Sequence, residues 1–93
     1  MTDAAARRLR LRAWRRGTKE MDLILGPFVA ARVEAMDADA RAGLEALMEE
    51  NDQDLYLWVT GARPPPETHA ALIDEIADFA RARLSPRRAD PPR

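Results

Sequence analysis

Met21, Ile24, Leu25, Phe28, Val29, Val33 and Met36 stand side by side or three to four residues apart, so a helix gathers all of them on one face. A strand would send alternate residues to opposite sides and scatter the same set. This stripe constrains the fold more than any other feature of the sequence. An amphipathic helix of such length is marginal in water and must bury its apolar face against other elements. Gly26-Pro27 interrupts the stripe. Proline inside a helix removes one hydrogen bond and crowds the carbonyl four residues back, so a kink or short break is expected there, with the same face buried on both sides.

The flanking sequence supplies the partners for that face. A first helix is expected from Asp3 to Arg15, with Asp3 as its N-cap and Ala6, Leu9 and Ala13 as its inner stripe. Gly17 ends it, and Thr18 is placed to cap the helix that carries the central stripe. Asp37 or Asp39 caps a third helix lined by Leu44, Leu47 and Met48 and ending near Glu50-Asn51. Asp52 or Gln53 starts a short fourth helix through Thr60, with Leu55, Trp58 and Val59 inward and Gly61 at its end. After the stiff Pro64-Pro65-Pro66 connector, Leu72, Ile73, Ile76, Phe79, Ala80 and Leu84 mark a fifth helix from Glu67 to Arg83. The expected fold is all-α, an antiparallel bundle of about five short helices. It forms a single domain over residues 1–84, with a Pro- and Arg-rich tail, 85–93, expected to be disordered.

Composition narrows the chemistry. The chain has 93 residues and no cysteine, which removes disulfides, thiolate metal sites and cysteine nucleophiles together. No apolar run approaches the roughly 20 residues of a membrane span. The N-terminus lacks the layout of a signal peptide, and the cytoplasm of a bacterium is the expected location. Net charge is −1, but it is unevenly spread. Arg7, Arg8, Arg10, Arg12, Arg15, Arg16 and Lys19 crowd one segment; Glu34, Asp37, Asp39, Glu45, Glu49, Glu50, Asp52 and Asp54 crowd another, against Arg41 alone. Such asymmetry suits either steering toward a charged partner or two solvated helix faces.

Two blocks carry the functional signal. The first is Arg16-Gly17-x-x-Glu20-x-Asp22-x-x-Leu25-x-x-Phe28; the second is Asp52-x-Asp54-Leu55-Tyr56-x-Trp58, followed by Gly61. Together, over residues 5–83, they resemble the succinate dehydrogenase flavinylation factors of the SdhE family. The resemblance implies a five-helix fold and binding to the flavoprotein subunit of succinate dehydrogenase or fumarate reductase. It implies a chaperone that promotes the bond between a histidine of that subunit and the 8α carbon of FAD, before the iron–sulfur subunit takes its place. The cofactor would be carried by the client and not held tightly by this chain. Residues of the Arg16–Glu20 segment are implied at the partner contact.

The expected partner-binding set is Arg15, Arg16, Gly17, Glu20 and Asp22 around the first block, and Asp52, Asp54 and Tyr56 in the second. Arg16 offers a planar fork for a carboxylate or carbonyl. Gly17 permits close backbone approach. Glu20, near a helix start, can meet free N–H groups or accept from a partner. Asp52 is alternatively the cap of the fourth helix, and Asp54 either a solvated acid or a partner for arginine. Tyr56 and Trp58 cannot both face inward at a spacing of two; Trp58 is expected in the core and Tyr56 partly exposed. Trp14 is open between packing on the second helix and lining the partner-facing surface. His69 has no second ligand at metal-binding spacing. No nucleophile–base set, phosphate-cradling loop or dinucleotide fingerprint is present, so no enzymatic activity is expected. The competing reading is a nucleic-acid binder using the arginines of the first helix, opposed by the acidic centre of the chain. A monomer or weak homodimer is expected, without membrane insertion.

Overall fold

The computed structural model describes residues 3–84. Its elements are α1 (Ala4–Trp14), α2 (Lys19–Arg32), a 3-10 turn (Val33–Ala35), α3 (Ala38–Met48), α4 (Asp52–Thr60) and α5 (Glu67–Leu84). Among the described residues there is no strand, and the fold is the expected all-α bundle. The tail expected from residue 85 onward lies outside the described residues.

Caps define the helix starts. The Asp3 side chain accepts from the Ala6 N–H at 3.0 Å and Asp37 from the Ala40 N–H at 2.8 Å, each satisfying a donor left free in the first turn. For α4 the cap is Asn51, whose Oδ1 accepts from the Asp54 N–H at 2.8 Å. Asp52 is thus the first residue of that helix and not its cap, which leaves its carboxylate available elsewhere. Thr18 occupies the position before α2 with extended backbone, yet its hydroxyl makes no capping bond. At the other ends, Gly17 (φ 99°) and Gly61 (φ 84°) turn the chain through the left-handed region, which side chains disfavour.

The central stripe is buried as expected. Met21, Leu25, Phe28, Val29 and Val33 have no exposed surface, and Met36 packs partly buried against the core. Burying each large apolar side chain of this kind contributes roughly 1.5–3 kcal/mol. They meet Leu9 of α1, Leu44 and Leu47 of α3, Leu55 of α4 and Ile73 and Ile76 of α5 in one cluster. Phe28 meets Phe79 edge-on with ring centroids 5.6 Å apart, and the Arg32 guanidinium lies over both rings at 5.6 and 5.1 Å.

Two further expectations change. Gly26-Pro27 does not break α2, which runs unbroken from Lys19 to Arg32 with Pro27 inside it. The reason for Gly26 is lateral. A Cβ at that position would stand 2.4 Å from Cδ2 and 2.5 Å from Cε2 of Trp14, so the indole lies on the bare backbone of α2. Trp58 is only partly buried, packed against the core; His69, beside it at 6.0 Å between ring centroids, is buried.

Candidate functional site

The α1–α2 turn, residues 15–18, is fastened to the junction between α3 and α4. The backbone N–H of Arg16 donates to Asp22 Oδ1 at 2.9 Å, and the Asp22 N–H donates back to the Thr18 carbonyl at 2.8 Å, which closes the turn on the start of α2. The Arg16 side chain then crosses the molecule. Its Nη1 donates to the Met48 carbonyl at 2.8 Å, its Nη2 to the Glu50 carbonyl at 2.7 Å, and its Nε to Asp52 Oδ1. The other oxygen of Asp52 accepts from the Thr18 hydroxyl.

The chemistry of this clamp follows from helix ends. Met48 is the last residue of α3, where carbonyls lack intrahelical donors and the helix dipole is negative, and a guanidinium satisfies both deficits. Asp52 lies in the first turn of α4, where a carboxylate is favoured by the opposite pole. Arginine supplies planar donors diverging toward separate acceptors, which lysine cannot match. The Arg16 side chain is only 11% exposed and Asp52 17%. From α5, His69 Nε2 meets Glu50 Oε2 at 3.0 Å, so the junction is held from a second side.

The predicted site residues therefore separate into two groups. Arg16, Asp22 and Asp52 are engaged within the molecule. Arg15, Glu20 and Tyr56 are exposed, and Asp54 is half-buried without an ion pair among the described residues. Gly17 has open space where a side chain would begin. Thr18, Glu20, Met21, Asp52, Gln53, Tyr56 and Leu57 line an open groove of about 380 Å³ between the turn and α4. Gln53 and Leu57 are additions that the sequence reading missed. They fall one turn apart, with Tyr56, on the face of α4 opposite the Leu55–Val59 stripe, a spacing that could have identified them.

The charge asymmetry also has a structural meaning. Arg10 pairs with Glu34 at 3.2 Å, Arg12 with Glu49 at 3.1 Å, and Arg41 with Asp3 at 2.6 Å. With Arg16–Asp52, three residues of the basic cluster are directed at the acidic segment of the same chain. The Arg41 hydrogen bonds, followed by that of the Ala6 N–H, hold the Asp3 carboxyl below its ordinary range, and Asp3 in turn raises Arg41. Among the described residues no cluster of three or more His, Cys, Asp or Glu is placed to hold a metal ion, and no helix is long and apolar enough to cross a membrane.

Comparison with known proteins shows the family. The family model for a flavinator of succinate dehydrogenase matches residues 7–80. The FAD assembly factor SdhE of Acetobacter pasteurianus is 40% identical over 81 residues, covering 86% of this chain and 74% of that protein. The FAD assembly factor SdhE of Vibrio parahaemolyticus is 35% identical over 65 residues, covering 69% of this chain and 76% of that one. A mitochondrial relative, succinate dehydrogenase assembly factor 2-A of Drosophila mojavensis, is 40% identical over 63 residues, 64% of this chain and 40% of that one. No solved structure matches the chain. Clamp, turn and groove all fall within the residues that the family model matches, and the chain belongs to the succinate dehydrogenase flavinator family.

Proposed function

We propose that this chain is an FAD assembly factor that binds the flavoprotein subunit of succinate dehydrogenase or fumarate reductase and promotes covalent attachment of FAD to it. The observation that carries the reading is the division of the motif turn. Arg16, Asp22 and Asp52 hold it from within, while Glu20 and Tyr56 stand outward along an open groove. A turn fixed in this way presents its outward side chains at little further entropic cost, which favours docking.

The bond to FAD forms on the flavoprotein, and this chain acts by binding. Its groove does not suit a dinucleotide: the acidic groups at its rim, Glu20 and Asp52, oppose a pyrophosphate, and Asp52 is already taken by Arg16 and Thr18. The groove brings together no nucleophile and base. A duplex-binding role is disfavoured because Arg10, Arg12 and Arg16 already face carboxylates.

The test uses purified apo-flavoprotein, lacking its iron–sulfur partner, mixed with FAD. Adding this chain should raise acid-stable in-gel flavin fluorescence; equal rate and yield with and without it would refute the assembly role. Glu20→Ala and Gly17→Arg should both weaken the effect.

A further inference from the structure

The outer face of α1 is built like a binding surface that the motif groove does not include. Leu11 is 48% exposed, Trp14 44% and Leu23 46%. Leu11 and Trp14 lie one turn apart on α1. Leu23 and Gly26 lie one turn apart on α2, and the Trp14 ring covers Gly26. Trp14 thus sits at the seam between the two helices, with Leu11 one turn from it on α1 and Leu23 one turn from the glycine it covers. Arg8, Leu11, Arg12, Arg15 and Arg16 line an open cleft of about 450 Å³ along α1. Arg8 and Arg15 make no ion pair among the described residues, and the Arg12–Glu49 pair is open to water, its side chains 40% and 74% exposed.

We infer that this face of α1 is a second docking surface, which takes an acidic polypeptide segment of the client flavoprotein bearing a large apolar anchor. The inference rests on the proposed reading of the chain as a flavoprotein-binding factor and deepens it. Three arguments fix the occupant. An indole seated on a glycine has its orientation set before binding, the property that makes tryptophan a strong interface anchor. The cationic border complements carboxylates, which steers encounter and selects partners. Finally, Trp14 and Arg15 run directly into Arg16-Gly17, so the face and the groove border the same turn, and one client surface can span both. An anionic membrane fits less well, because the first turn of α2, which follows the same turn, carries the acidic Glu20 and Asp22.

The test titrates the full chain against the flavoprotein subunit lacking its iron–sulfur partner, at low and high salt. Arg8→Glu with Arg15→Glu should weaken binding at low salt by about tenfold or more and remove most of its salt dependence, with the melting temperature unchanged. Arg8→Lys with Arg15→Lys should bind nearly as wild type. Leu11→Ser should weaken binding several-fold at both salt concentrations. Unchanged affinity and salt dependence in the Glu variant, while Glu20→Ala still weakens binding, would overturn the inference and leave the proposed function standing. Failure of the wild-type chain to bind the flavoprotein would sink both. Loss confined to binding of phosphatidylglycerol vesicles would overturn the inference in favour of a lipid surface.

Discussion

Arg15 and Arg16 are neighbours in the chain and face opposite surroundings. Arg16 lies with its side chain 11% exposed among the Met48 and Glu50 carbonyls and the Asp52 carboxylate, whereas Arg15 is exposed at the end of the α1 cleft. The same split separates Asp22, which closes the turn, from Glu20, which lines the groove. One short motif therefore holds two populations: side chains that shape the turn and side chains that the turn displays. Substitutions of the first kind should be read in stability, and those of the second in client binding.

The largest effect is expected at Arg16. Arg16→Ala strands two carbonyls and a carboxylate that are mostly shielded from water, and should destabilise the fold by about 3 kcal/mol, read from the denaturation midpoint. A midpoint unchanged from wild type would erase the distinction between inner and outer residues. Gly17→Ala meets no steric obstacle, so only its φ of 99° opposes it. The expected loss is about 1–2 kcal/mol, and flavinylation should fall no further than that instability explains. Gly26→Ala drives a methyl into the Trp14 ring. Better helix propensity offsets part of the strain, leaving a net loss of about 1 kcal/mol. In a Trp58→Phe background the emission should shift to the red as the indole is pushed into water. An unshifted spectrum would mean that Gly26 does not seat the ring.

A smaller effect concerns pH. The Asp3 carboxyl is held below its usual range by Arg41, so its contribution is complete above the unfolded-state value near 3.9 and is lost as pH falls through the folded-state value. Asp3→Asn keeps a capping side chain but loses the charge. The gap in melting temperature between wild type and variant should be present at neutral pH and close below about pH 4. A gap that persists in acid would assign the effect to the cap and not to the ion pair. At the end of the series, Glu20→Ala should leave the denaturation midpoint in place and act on flavinylation alone. A loss confined to unfolding would move Glu20 to the inner group.

The helices were legible because each buries a periodic stripe, and the start at Asp3 because a short acid precedes such a stripe; for α3 the sequence left Asp37 and Asp39 open, and the bond from the Ala40 N–H settles it on Asp37. Where the reading failed, the deciding fact was a side chain's direction. Asn51 and Asp52 are both good caps, and only the fold shows that Asn51 caps α4 while Asp52 reaches across to Arg16. Thr18 likewise gives its hydroxyl to Asp52 instead of to α2. Gly26-Pro27 read as a kink or short break along the helix, when the glycine answers a contact from beside it. The motif pointed to one turn and the start of α4, but spacing could not distinguish exposed side chains from those that face the chain's own helix ends.

The Arg16 clamp joins residues separated by 32 to 36 positions in the chain. Contacts of that separation form only after the loop between them has closed. A growing polypeptide that has not yet delivered Asp52 from the ribosome has the motif letters but not the fastened turn. Client binding would then begin only once Asp52 has joined the first two helices, so copies cut short before it would not compete for the flavoprotein.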